Sequence, residues 1–307
     1  MDAESLTNIL PWILAATVFA FIVGDLGDFV PTAMVIILIL QITASMAGIK
    51  FRMDIIKRDA KRVLYCIICC FGVSSGISLL CGYLFPSDDI GIFYGWVMIA
   101  AVPCAVSCVT VALTMYGDRV LSVVSLAAIY VVALFLTPLI TTVFIGDAIS
   151  PLEILKYIIL FVAVPLGATV VLNRFNIPRV PKAVFINLMM FLLVMLSIGR
   201  NSEFILSDLG IVAWILVFAF IRCFVVGGFL FWLFRRMRTD RGAAIDYVSL
   251  CVWKNTGLAT SMCLVLLPTM PQSAVPCAVC LLVESLWYAV SNNAVNRMWP
   301  PEAENTA

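Results

Sequence analysis

The chain has 307 residues, 63% of them hydrophobic and 12% charged, with no histidine and a mean hydropathy of +1.11. Soluble domains carry charge on about a quarter of their residues, so most of this chain meets lipid and most soluble enzymes are excluded. Nineteen basic and 18 acidic residues leave a net charge of +1, which gives no global field for nucleic acid, and the missing imidazole disfavours zinc, haem and histidine acid–base chemistry.

A hydrocarbon core about 30 Å thick needs roughly 20 apolar residues per helix. In chain order the candidate spans lie near 9–24, 30–49, 63–85, 92–116, 120–145, 154–172, 183–199, 209–234, 245–268 and 274–295, so an all-α integral membrane protein with ten transmembrane helices is expected. The leading segment, Met1 to Asn8, holds Asp2 and Glu4 and lacks a positive n-region, so it does not read as a cleavable signal.

Lys and Arg accumulate in cytoplasmic loops. Here they follow the even-numbered spans: Lys50, Arg52, Lys57, Arg58, Lys61 and Arg62; Arg119; Arg174, Arg179 and Lys182; Arg235, Arg236, Arg238 and Arg241; and Arg297. The opposite side holds Lys156 and Arg200 among the acids Asp25, Asp28, Asp88, Asp89, Asp147, Glu153, Glu203 and Asp208. Both termini are therefore predicted to be cytoplasmic, in a plasma or inner membrane. The run from Lys50 to Arg62 reads as a solvated loop that sets topology.

Ten spans divide into two sets of five, residues 1–150 and 151–307, and an odd number places the second set upside down relative to the first. Spans 4 and 9 are then equivalent, and each is interrupted, by Pro103 in one and by Asn255-Thr256-Gly257 in the other. Paired interruptions of this kind point to a midplane binding site in a secondary transporter.

Three ionisable residues lie within apolar spans: Arg222, Lys254 and Glu284. Each costs about 2.5–3.5 kcal/mol at a helix centre on insertion scales, so all three are expected to face the protein interior or a wet cavity. Arg222 pairing with Glu284 would leave one cation, Lys254, beside the break in span 9. Lys254 is about 15 Å into its span, too deep for snorkelling, and an anionic substrate would suit it.

The run Pro103-Cys104-Ala105-Val106-Ser107-Cys108-Val109-Thr110, with Tyr116-Gly117-Asp118 and Leu121-Ser122-Val123, resembles the bile acid:sodium symporter family. Met46-Ala47-Gly48-Ile49-Lys50 with the basic loop after it, Asn255-Thr256-Gly257-Leu258-Ala259, and the segment from Pro276 are similar to the same family. The resemblance implies two five-helix inverted repeats, a panel of spans 1, 2, 6 and 7, a core of spans 3–5 and 8–10, and spans 4 and 9 crossing where they unwind. It also implies alternating-access transport of small organic anions, usually coupled to sodium.

Carried over residue by residue, the family's sodium ligands are mostly missing. Its Ser-Asn pair falls on Cys108-Val109, its serine survives as Ser122, its threonine falls on Leu126, and its Glu and Gln fall on Leu250 and Lys254. Sodium prefers hard oxygen ligands and an offsetting carboxylate, so the Lys254 ammonium is expected to stand in for the ion and transport to be sodium-independent. The substrate pocket is expected beside the crossing, lined by Ser107, Lys254, Asn255, Thr256, Glu284 and Ser285. Glu284 there leaves a neutral or cationic substrate open. No cofactor, resident metal or enzymatic activity is expected; the partners are the bilayer and a small organic anion.

Two rival readings follow from other residues. Soft thiols at Cys104 and Cys108 would suit arsenite efflux, and a buried lysine could form a Schiff base in a photoreceptor or membrane enzyme. The eleven cysteines all fall in apolar runs and read as unpaired packing residues. Trp12, Trp96, Trp214, Trp232, Trp287 and Trp299 mostly read as interfacial anchors, and the polar tail from Pro300 to Ala307 as disordered.

Overall fold

Lipid offers no hydrogen bonds, so a chain this apolar must pair its backbone groups internally, and helices do so within one segment. The computed structural model describes residues 7, 9–47, 59–146, 149–175 and 177–300, and every multi-residue regular element among them is helical. In chain order these are α1 (Ile9–Val23), α2 (Val30–Met46), α3 (Ala60–Ile67), a π-helical segment (Ile68–Ser74) leading into α4 (Ser75–Tyr83), α5 (Ile90–Ala101), α6 (Cys108–Thr114) and α7 (Arg119–Ile145). The second half runs α8 (Pro151–Leu172), α9 (Arg179–Arg200), α10 (Ser202–Ser207), α11 (Leu209–Phe220), a second π segment (Ile221–Val225), α12 (Val226–Arg236), α13 (Arg241–Val252), α14 (Thr256–Leu266), a 3-10 turn (Pro271–Ser273) and α15 (Ala274–Met298).

Six helices among the described residues are long and apolar enough to cross a membrane, marking a membrane protein: Ala60–Tyr83, Arg119–Ile145, Leu152–Leu172, Val180–Arg200, Leu209–Arg236 and Pro271–Met298. Ile9–Val23, Val30–Met46, Ile90–Ala101 and Thr256–Leu266 are shorter apolar helices. Leu14, Val18 and Ile22 on α1 and Val131, Phe135, Leu139 and Val143 on α7 recur every fourth residue and are exposed. That spacing makes apolar stripes suited to acyl chains. On α1 the inward face is Ile13, Ala16 and Ala20, all buried.

Carboxylates start several helices. Asp89 accepts from Gly91 N at 2.8 Å ahead of α5, Asp118 from Val120 N and Leu121 N ahead of α7, Asp208 from Ile211 N ahead of α11, and Asp240 from Ala243 N ahead of α13. Each satisfies donors that the first turn leaves free and complements the positive end of the helix.

The helices pack in two sets. α9 packs on α1 and α2, and α2 also packs on α8; α3 to α7 and α11 to α15 pack chiefly among themselves. The sets meet where α7 touches α8, where α14 touches α2, α8 and α9, and where α15 touches α1 and α9.

Several expectations need correction or lie elsewhere. Trp96 and Trp287 are fully buried core residues; Trp96 packs on Phe218 and Trp287 stacks on Phe231, so aromatic packing accounts for them. Trp214 and Trp232 are exposed on the apolar exterior. All eleven cysteines are free and buried. Both termini, most of the basic loop between α2 and α3 (48–58) and the tail from 301 lie outside the described residues.

Candidate functional site: the crossing of two broken helices

Pro103 has no N–H to donate and pushes the residue before it out of helical geometry. Val102 is accordingly extended, with φ −74° and ψ 152°, and α5 ends at Ala101. The chain resumes as α6 at Cys108. The second interruption has no proline. α13 ends at Val252, Trp253 and Asn255 leave the helical region, and the Asn255 side chain accepts from Leu258 N at 3.1 Å to start α14. The break therefore precedes Gly257, which lies in the first turn of α14. A Cβ there would meet only ordinary contacts, the nearest at 3.7 Å on Leu193.

The breaks meet. Asn255 N donates to Pro103 O at 2.8 Å and Ala105 N donates to Trp253 O at 3.0 Å, an isolated antiparallel bridge between Cys104 and Lys254. Extended backbone at this depth is tolerated only inside protein, and here each extended segment supplies the other's partners.

Breaking α5 strands its last carbonyls, and side chains collect on them. Ala101 O accepts from Thr137 Oγ1 at 2.7 Å. Ala100 O accepts from Ser75 Oγ at 2.5 Å and from Lys254 Nζ at 3.3 Å. Val102 O accepts from Lys254 Nζ at 2.6 Å. The same ammonium reaches Ser75 Oγ at 3.1 Å and Cys70 O at 3.2 Å, the latter in the π segment, and lies 4.8 Å from the centre of the Phe71 ring. Lys254 is 1% exposed. Its three N–H groups are thus shared among four oxygens at the negative end of a helix, where a cation is stabilised.

Arg222 and Glu284 form a buried ion pair, so of the two cations that could have taken Glu284, Arg222 and Lys254, it is Arg222 that does. Arg222 also donates to Val252 O at the end of α13, at 3.3 Å. Glu284 accepts from Thr256 Oγ1 at 3.2 Å and from the backbone N of Lys254 at 3.3 Å. The cation thus meets the carbonyl end of α13 and the carboxylate meets the amide end of α14, each matching the local dipole.

A small cavity of about 20 Å³, room for one water-sized molecule, lies at the crossing between α2 and α9 on one side and the two breaks on the other. Ser107, Lys254, Asn255 and Thr256 line it as expected, with Gln41, Ser45 and Met190 added from α2 and α9. Glu284 and Ser285 are fully buried outside this lining. Glu284 is committed to Arg222 and α14, and Ser285 Oγ donates to Leu281 O one turn back at 2.9 Å. Leu281, not Ser285, is the α15 residue at the cavity.

Where the family's sodium ligands would fall, Cys108, Val109, Leu126 and Leu250 are buried apolar residues. Ser122 donates to Asp246 Oδ1 at 2.6 Å. Asp246, fully buried in α13, was not among the candidate residues, because the predicted ninth span began at 245 and left it at the interface. The capping role of Asp240 was the available signal: a helix that starts at Arg241 carries residue 246 inward. Cys104 and Cys108 are buried and outside the cavity lining, and no cluster of His, Cys, Asp and Glu among the described residues is arranged to hold a metal.

No protein-family model matches the chain, and no curated protein matches it at a significant level.

Proposed function

We propose that the chain is a secondary transporter of small organic anions, carboxylates above all, that works by alternating access without sodium. The single observation carrying this reading is the Lys254 ammonium seated on the Ala100 and Val102 carbonyls of the opposite broken helix. An ammonium among four oxygens supplies the charge and the oxygen contacts that a bound alkali ion would otherwise provide at such a crossing, and the negative end of the broken helix stabilises it there.

Matched features support an inverted pair of five-helix repeats. The third and eighth spans both carry a π segment, Ile68–Ser74 and Ile221–Val225; the fourth and ninth are both broken. A buried cation caps the carbonyl end of each first half-helix, Lys254 on Val102 and Arg222 on Val252. In this reading α1, α2, α8 and α9 form the panel, the remaining helices form the core, and the cavity between them marks the closed substrate path. Both termini are cytoplasmic.

The substrate carboxylate meets Ser107, Asn255 and Thr256 where they line the cavity beside the Lys254 cation. The core carries one net positive charge when Arg222 and Glu284 cancel. The Lys254 amine, held by four oxygens, serves as a fixed cation and not as a free nucleophile.

A thermal-shift screen tests this reading. Small carboxylates are expected to stabilise the purified wild type, their amides and amine analogues are not, and Ser107→Phe, which fills the cavity, is expected to abolish the shift. Stabilisation by amines and not by carboxylates would overturn the substrate class.

A further inference from the structure

The core holds one more ionisable group than the crossing uses. Asp246 is fully buried. Its Oδ1 accepts from Ser122 and lies against the backbone of Gly117, where a Cβ would come within 2.5 Å. Its Oδ2 has no partner, and nor does the buried hydroxyl of Ser249, one turn further along α13, while Ser125, one turn further along α7, sits against the Cys66 thiol. Both helices start at the same level, since Asp118 N donates to Gly242 O, so Ser122 and Ser125 run alongside Asp246 and Ser249.

The groups around this carboxyl offer it no counter-ion. From α3, Cys66 lies beside it, and Arg62 at the start of that helix is spent on Asp118 and Asp240, at 3.3 and 3.4 Å. Those two acids cap α7 and α13. Tyr247 follows on the same helix with Cys66 and Cys69 near it, and α12 ends in the exposed Arg235 and Arg236. An ionised carboxylate without a cation in direct contact is expensive to bury. Only the Ser122 hydroxyl reaches the carboxyl, and no hydroxyl of Ser125 or Ser249 bonds Oδ2, so the hard ligands in contact are too few for sodium. A proton needs only one oxygen.

We propose that Asp246 is the ion-coupling group of this transporter, binding a proton at Oδ2. The proton enters from water when the Arg62–Asp118–Asp240 clasp and the Tyr116–Asp118 turn over it open, and it returns to water on release. With Asp246 neutral, Arg222, Lys254 and Glu284 leave the core at one net positive charge; with Asp246 ionised, the core is neutral. An anion therefore binds with the proton, and the two move together. This rests on the anion-transport reading above.

Two measurements separate the proposal from that reading. In proteoliposomes supplied with a carboxylate found by the thermal-shift screen, an acidic exterior is expected to drive wild-type accumulation. Asp246→Asn, which keeps the acceptor for Ser122, is expected to lose about tenfold or more of that accumulation while retaining substrate counterflow. Infrared pH titration of the purified protein needs no substrate. A buried carboxylic-acid band is expected in the wild type and in Glu284→Gln, is absent in Asp246→Asn, and has its pH midpoint moved by Ser122→Ala. A missing band, or Asp246→Asn accumulating like the wild type, would overturn the proposal. A band without any carboxylate transport would instead overturn the anion-transport reading.

Discussion

The two helix breaks touch through one bridge yet are made by different means. At the first, a proline forces the backbone out of the helix and leaves carbonyls that need donors, which come from other elements: Thr137, Ser75 and Lys254. At the second there is no proline, and the break is held by an ion pair, Arg222 on the carbonyl side and Glu284 on the amide side. A locally imposed break needs a cation from outside, whereas a break imposed by tertiary contacts carries both charges with it. The cation spent on the first break is the residue that the second break exposes, so each depends on the other.

That comparison can be broken at its strongest point first. Glu284→Gln leaves Arg222 buried with a neutral partner, and a loss of about 3–5 kcal/mol is expected. The Arg222→Met/Glu284→Met double variant is expected to lose less, as read by denaturant or thermal unfolding in detergent. Lys254→Met strips the ammonium from the carbonyls of Ala100 and Val102, at about 3 kcal/mol. Because the first break has no second cation, no partner substitution among the three buried charges is expected to recover that loss.

Smaller changes sharpen the contrast. Asn255→Ala removes the cap of α14 and is expected to cost about 1 kcal/mol. Ser75→Ala, which removes a donor to Ala100 and an acceptor for Lys254, is expected to cost a similar ~1 kcal/mol. Gly257→Ala is expected to leave stability within about 0.5 kcal/mol, because the residue is helical and the nearest contact to a new Cβ is 3.7 Å away. A large loss at Gly257 would place the break there and undo the assignment to Trp253–Asn255.

Much of this was legible in the residues. Proline chemistry placed the first break, burial cost marked Arg222, Lys254 and Glu284 as inward-facing without deciding which cation Glu284 takes, and the apolar setting of the cysteines left them free. The rest failed for identifiable reasons. The π segments carry no consistent breaker: Ile221–Val225 contains neither glycine nor proline, so the bulge that holds Arg222 arises from packing and not from local propensity. Asp246 was missed because hydropathy marks where a span turns apolar, while capping by Asp240 marks where its helix begins. Glu284 and Ser285 are expected at the cavity only from the family resemblance, whose His-Asn pair falls on them, but the rotation of α15 turns Leu281 there and gives Glu284 to Arg222.

If Lys254 does the electrostatic work of a bound alkali ion, carboxylate uptake into proteoliposomes is unchanged when choline replaces sodium. An absolute sodium requirement would contradict that role.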